Sequence, residues 1–292
     1  MNILAKFNLM MVTVFALGLL AVCLMTNALL ERNAQQQVTD NARIMMETAL
    51  AMRQYTSKQI KPLLDAQNAR EFLPQTVPAY AATQGFNALR EKYPEYTYKE
   101  ATLDPTNVLQ DKATDWEADV VSQFKNQADA KEIIGVRQSA TGPSLYLSHP
   151  IRIMDAACLT CHSTPAVAPA SMIRKYGSDH GFNWHKGDVV GAQIVSVPMS
   201  LPEAMARRAF LAVLGTLTAA FAVTLLLLNV MLTLLVIRPV TRLARAADLI
   251  SQGDREVEDL PVRGRDEIAG LATSFNRMQR SLKKAMTMLD EA

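Results

Sequence analysis

Cys158-Leu159-Thr160-Cys161-His162 is the stretch of this sequence best equipped for chemistry. Two thiols three positions apart, followed at once by an imidazole, match the attachment pattern of a c-type haem. Each thiol adds to one vinyl group of the porphyrin, and the two residues between them let both sulfurs reach. His162 then meets the iron as its proximal axial ligand. A disulfide or a thioredoxin-like redox pair uses the same Cys spacing but needs no following His. Half a zinc site is the other competitor. The remaining His are His149, His180 and His185, and there is no second Cys pair, so zinc would need an irregular ligand set. The motif therefore points to one covalent haem c, held by Cys158 and Cys161 with His162 on the iron.

The rest of the composition narrows the function. Net charge over the 292 residues is +2, and no basic run carries interleaved aromatics, so nucleic acid is not an expected partner. There is no Gly-rich phosphate loop and no internal repeat. No Ser/His/Asp arrangement or paired-carboxylate constellation stands out, so the chain is not read as an enzyme. Met is frequent, with fifteen residues; it is both a flexible packer and a haem ligand.

Two apolar runs must position the motif. Residues 7–30 are long and apolar enough to cross a bilayer, and Lys6 before them favours an N-terminus, residues 1–6, in the cytoplasm. A cleaved signal peptide is the rival reading. Residues 209–237 form the second span. Arg207 and Arg208 on its outer side oppose the charge rule, but Arg238, Arg242 and Arg245 on the inner side outweigh them. Residues 31–208 then lie outside the cytoplasmic membrane, in the bacterial periplasm, where covalent haem attachment takes place.

Within that outer segment, residues 34–64 read as one long helix, with Val38, Ala42, Met45, Ala49, Met52 and Thr56 on one face and Pro62 as a kink or an end. Short helices are expected around 86–92 and 116–124. Strands are expected at 96–101, 133–139, 144–153 and 189–197, the middle two joined by a Thr141-Gly142-Pro143 hairpin. The stretches 163–170 and 181–187 read as loops. The sum is an α+β, PAS-like domain between two transmembrane helices.

Several pieces of this domain resemble a family of periplasmic haem c sensor domains with a PAS-like fold. They are Met52-Arg53-Gln54-Tyr55-Thr56 with Lys61-Pro62-Leu63-Leu64, Asp104-Pro105-Thr106-Asn107 with Trp116-Glu117-Ala118, His149-Pro150-Ile151, and Gly187-Asp188-Val189-Val190-Gly191-Ala192-Gln193. The resemblance implies that the distal iron ligand comes from the first long helix. A member of the family uses Cys there, and this helix has none beyond its membrane part. Met45, Met46 and Met52 are the available thioethers, and Met52 is the favoured candidate. His149, His180, His185 or an open sixth position are the alternatives. Arg53 and Tyr55 are candidates for haem propionate contacts, a guanidinium suiting a carboxylate.

Behind the second span, Arg238-Pro239 opens an amphipathic stretch with Val240, Leu243, Ala247 and Ile250 in register. Gly253 breaks it. After a connector and Asp266-Glu267, Ile268, Leu271, Phe275, Met278, Leu282, Ala285 and Leu289 step three and four, a coiled-coil seam. Residues 238–290 resemble a cytoplasmic all-α HAMP domain, which implies a homodimer. No kinase or cyclase pattern follows, so a separate cytoplasmic signalling protein is the expected output partner. The reading is a transmembrane receptor, embedded in the lipid bilayer, that senses redox state or a gas such as NO, CO or O₂. The alternative is a membrane-anchored c-type cytochrome that hands electrons to a periplasmic redox partner.

Overall fold

The computed structural model describes residues 3–127, 129–254 and 256–290, without the side chains of Leu289, the last position of the expected seam, and Asp290. It divides into two compact units, Thr26–Phe210 and a second built from Met1–Met25 with Leu211–Ala292.

The unit Thr26–Phe210 is a four-stranded antiparallel sheet with helices on both faces. β1 is Thr97–Thr102, β2 Ile133–Ser139, β3 Gly142–Arg152 and β4 Val189–Pro198, in the order β1-β4-β3-β2. β4 is central. Its sequence, apolar almost throughout, suits a strand covered on both faces, and all but Val190 of its residues are buried. β2 is an edge strand and alternates exposed and half-buried residues, as a strand with one dry face should.

Alternation across the strands assigns the two faces. Tyr98, Leu145, Leu147, Val195 and Val197 pack against helix α1 (Ile3–Tyr55), through Val38, Ala42, Met45, Met46 and Ala49, and against Ala82 and Phe86 of α3 (Pro78–Arg90). Ala101, Val189, Ala192 and Ile194 pack against Val120, Val121 and Phe124 of α5 (Asp115–Asn126). A single-turn helix, α4 (Val108–Asp111), precedes α5, and where α5 begins the amide of Thr114 donates to Glu117 Oε2 at 2.8 Å, satisfying a backbone group at the helix start.

The expected single helix through residue 64 is instead α1, a π-turn at Thr56–Ile60, and α2 (Lys61–Arg70). Pro62 does not end it. Pro at the start of α2 sits where its missing N–H and fixed φ fit, and the π-turn just before it takes up the irregularity. The loop expected at 163–170 leads into a short helix that periodicity did not reveal, α7 (Ala170–Tyr176). Its Met172 joins Phe72, Ala168 and Phe182 in a third apolar cluster, with Cys161 and Tyr176 packed against it.

In the other unit, α8 (Ser200–Leu232), which begins in Thr26–Phe210, runs into a second π-turn, Thr233–Ile237, and then α9 (Arg238–Ser251). Two helices, Ile3–Arg70 and Ser200–Ser251 taken through their π-turns, are long and apolar enough to cross a membrane. Within this unit Phe15 stacks on Phe221 with ring centroids 3.7 Å apart. The side-chain amides of Asn8 and Asn229 exchange hydrogen bonds of 3.0 and 2.7 Å. Gly253, at φ +92, turns the chain out of α9. The connector is tied to α10 (Glu267–Asp290) by side-chain amides. Asn276 donates to and accepts from the Leu260 backbone at 2.9 Å, and Gln279 Nε2 donates to the Val257 carbonyl at 2.5 Å. Leu243 and Ala246 are buried, where Ala247 was expected to face inward. Leu271, Met278 and Leu282 of the expected seam stay exposed in the single chain.

Candidate metal centre

The Cys-x-x-Cys-His stretch follows β3 on helix α6 (Ala156–His162), whose amino end is capped by Asp155 accepting from the Ala157 amide at 2.9 Å. Helical spacing places Cys161 and His162 three and four residues after Cys158, so all three leave one face. Among the described residues no group of three or more His, Cys, Asp and Glu side chains gathers into a metal cage.

Both thiols are half-buried and unpaired. Burial raises Cys158 above the ordinary thiol range, Asp155 raises it further and Arg53 opposes the rise. Burial likewise raises Cys161, against the pull of Lys61. These are protonated thiols at neutral pH, the opposite of a redox pair, which is activated as thiolate. Arg53, in the last turn of α1, and Lys61, the first residue of α2, lie within electrostatic reach of the two thiols, and the π-turn Thr56–Ile60 lies between them in the chain. Single π-turns inside helices recur at functional sites.

His162 is held as a neutral, directed imidazole. Its Nδ1 lies 2.7 Å from the Gly181 carbonyl, which can only accept, so Nδ1 carries the proton. Nε2 is left with its lone pair. Burial pushes the ring below its usual pKa, partly offset by that hydrogen bond. Trp184 stacks on the imidazole, centroids 3.9 Å apart and 12° from parallel, and its amide donates to the His162 carbonyl at 3.2 Å. An Nδ1–H bonded to a backbone carbonyl is the usual support of a metal-bound His.

The Gly181 turn has its own brace. Asp104 Oδ2 accepts from the Gly181 amide at 3.1 Å, and Asp104 Oδ1 lies 2.7 Å from His180 Nδ1. Gly181 sits at φ +83, and a Cβ there would lie 2.2 Å from Thr106 Oγ1, so only glycine fits. The Asp104-Pro105-Thr106-Asn107 turn thus supports the acceptor that orients His162, a role its sequence did not disclose.

The other expected residues fall as follows. Met45 and Met46 are buried in the core under the sheet. Met52 is half-buried, and its Sδ lies against Gly85 of α3, 2.7 Å from where a Cβ would stand. Arg53 donates Nη1 to Glu100 of β1, and Tyr98 donates its hydroxyl to the same carboxylate at 2.7 Å. Glu100 is almost fully buried and its carboxylate is paired with this cation, an internal ion pair that engages Arg53 Nη1. Burial works against the Arg53 charge, and Glu100 outweighs it. Tyr55, two residues on, leaves a different side of the helix and is 53% exposed. Each of the other three His has a carboxylate neighbour. His149 Nε2 lies 3.4 Å from Glu132, His180 faces Asp104, and His185 Nδ1 lies 3.4 Å from Asp188. Sequence reasoning missed Gly181, Trp184 and Glu100; a Trp-His pair inside a glycine-bounded loop was the only visible signal.

The family model described as Tll0287-like matches residues 31–198, and the HAMP domain model matches residues 231–284. The sensor histidine kinase MtrB of Mycobacterium leprae is 39% identical over 80 residues. The MtrB of Mycolicibacterium paratuberculosis is 40% identical over the same length. Each match covers 26% of this chain and 14% of the relative, so the chain spans about one-seventh of those kinases. Among solved structures, the crystal structure of the cyanobacterial heme-protein Tll0287 is 18% identical, with a TM-score of 0.43, over 55% of this chain and 94% of the other. Because the first family model covers more than half of the chain, this protein belongs to the Tll0287-like family, here followed by a HAMP domain.

Proposed function

We propose that this protein is a two-pass transmembrane sensor that carries one c-type haem on its outer domain and signals through its HAMP domain. The observation that carries the reading is His162, neutral, with Nδ1 tied to Gly181 and Nε2 left for a metal, on the same helix face as two protonated thiols. Cys158 and Cys161 would hold the porphyrin covalently and His162 would be the proximal ligand. Met52 is the distal candidate: it adjoins Arg53, whose charge acts on Cys158, and Gly85 leaves room for its sulfur. A haem held there supplies an iron that changes oxidation state and exchanges an axial ligand for a diatomic gas.

The chain's own residues provide the route outward. Met52 and Arg53 stand at the end of α1, a helix continuous from Ile3. Whatever alters the packing of that end acts on the same rod that the apolar run Leu9–Met25 would place in the membrane. On the other side, β4 leads through α8 into the HAMP helices. A stimulus can drive this only by its difference in affinity for two packings, and about 1–3 kcal/mol would give a several-fold response. The exposed Leu271, Met278 and Leu282 are the surface a second copy would cover, which makes the receptor a homodimer facing a cytoplasmic signalling partner.

Mass spectrometry of the exported protein tests the attachment, and oxidised and reduced absorption spectra with and without CO and NO test the sensing. One added porphyrin per chain, with gas binding after reduction, is the expected result. The bare polypeptide mass would end the proposal. One porphyrin with unchanged six-coordinate spectra throughout would turn the reading to electron transfer.

A further inference from the structure

Edge strands in natural proteins are commonly short, bulged, charged with Lys or interrupted by Pro. Strand β2 ends the sheet and has none of these guards. It runs seven residues, holds no Lys or Pro, and keeps one register against β3 throughout. In an antiparallel pair, successive residues alternate between bonding the neighbour and pointing away from it. The Ile133 carbonyl accepts from Ser148 Oγ of β3 at 3.0 Å. Pro143, which has no N–H to give, stands opposite Gln138, and its carbonyl accepts from the Met199 amide beyond the end of β4 at 3.0 Å. Ile133, Gly135 and Arg137 therefore bond β3, and the N–H and C=O groups of Ile134, Val136 and Gln138 point out of the sheet. Ile134 and Val136 stand opposite Leu147 and Leu145, on the face that α1 covers further in, and both are exposed. Arg137 leaves the other face. Its guanidinium lies 4.3 Å over the Trp116 ring, and Trp116 meets Tyr146 with centroids 5.4 Å apart. Tyr146 in turn covers Gly135, where a Cβ would fall 2.5 Å from the phenol ring. Arg137 Nε is buried without an acceptor, and the side chain makes no ion pair or hydrogen bond among the described residues. The acid just before β2, Glu132, is held by Arg43 at 3.0 Å.

A cation fixed on an aromatic platform with no counter-ion, beside a row of unpaired backbone groups, is equipped for recognition. We propose that the free edge of β2 takes up an extended segment of a partner protein as a further strand, with apolar residues on one face of the segment and a carboxylate on the other, opposite Arg137. The outward amides and carbonyls of Ile134, Val136 and Gln138 supply main-chain bonds, which give affinity, and the side chains give selectivity. Ile134 and Val136 receive the apolar face. Arg137 occupies a non-bonded position of the new pair, where cross-strand side chains come closest, so an acid there meets its charge directly. A second copy of β2 does not answer this edge. Ile133–Ser139 contains no acid, so Arg137 stays without a counter-ion in every register. The surface uses none of the residues assigned to the haem, and it stands or falls apart from the function proposed above.

The test uses the full chain in detergent micelles and a rhodamine-labelled peptide, Ser-Val-Glu-Val-Thr-Val-Ser with blocked ends. Run antiparallel to β2, it sets its Glu opposite Arg137 and its middle Val opposite Val136. Fluorescence anisotropy follows the titration, with empty micelles as the baseline. Saturable binding below about 1 mM is expected, as for a weak specific contact. A probe with Lys in place of Glu should bind about tenfold more weakly or worse, and so should one N-methylated at the middle Val, which loses a main-chain bond. Arg137→Gln should abolish the preference for the Glu probe over the Lys probe. Val136→Pro removes an outward N–H while leaving the β2–β3 bonds, to which Val136 does not contribute, and an edge strand tolerates Pro in that position; binding should be lost. Absence of saturation, or equal affinity of the unaltered chain for the Glu and Lys probes, overturns the proposal with no reliance on the folding of a variant. A chain that ignores the probe but self-associates in sedimentation, less so as Val136→Pro, gives the edge to a second copy and overturns it too.

Discussion

Removing either partner of the Arg53–Glu100 pair should harm the protein unequally. The Glu100 side chain is 6% exposed and that of Arg53 27%. Arg53→Met strands a carboxylate in the core with one remaining donor, the Tyr98 hydroxyl. Breaking a buried pair in this way costs about 3–5 kcal/mol. Glu100→Gln keeps an oxygen for Tyr98 and leaves a guanidinium that already touches water, so it should cost only ~1–2 kcal/mol. In Arg53→Met/Glu100→Leu no charge is left buried, and a coupling energy of about 2–3 kcal/mol should appear in the double-mutant cycle closed by the Arg53→Met and Glu100→Leu singles. Denaturant titration of the full chain in detergent at pH 7, read by tryptophan fluorescence, measures all of this. A larger loss in Glu100→Gln than in Arg53→Met, or a coupling energy near zero, would refute the assignment of Glu100 as the buried, dependent partner.

Asp111 offers a pH test. Burial first, and Glu100 next, push its carboxyl up to about 6 from the ordinary 3.8. The folded state binds the proton more tightly, so Asp111 weakens the fold as pH rises through that window. Asp111→Asn should then raise stability at pH 7 by about 1–2 kcal/mol, after a discount for its partial exposure, and by nothing at pH 3, which thermal melts at the two pH values would show. Gly85→Ala puts a Cβ 2.7 Å from Met52 Sδ and must displace that sulfur. The haem spectrum should change with it, and an unchanged spectrum removes Met52 as a ligand. Asn229→Leu deletes the reciprocal amide bonds to Asn8 and should loosen the helix pair by ~0.6–2 kcal/mol. The readout is a lower cross-linking yield between cysteines placed at Phe15 and Phe221 in a Cys23→Ser background, and an unchanged yield counts against the pairing.

Much of this protein is written in local patterns. The Cys-x-x-Cys-His spacing, two apolar runs of spanning length, the three-and-four repeat behind them and the turn at Gly142-Pro143 are each read within about ten residues. They located the two helices long and apolar enough to cross a membrane, the HAMP helices and most strand positions, because helix and strand periods and turn chemistry are short-range properties. The π-turn at Thr56–Ile60 left only Pro62 as a trace, two residues beyond it, and a proline by itself reads as a kink or an end. The short helix α7 is held by Phe72 and Phe182 and shows no amphipathic period of its own. What only the tertiary structure decided is the environment of each reactive side chain. The Gly181 carbonyl lies nineteen residues from the imidazole it orients, and Glu100 lies forty-seven from the arginine it binds. Such partners are chosen by sheet register and loop closure, so the sequence named the side chains able to do the chemistry, and packing alone chose which of their atoms remain available for it.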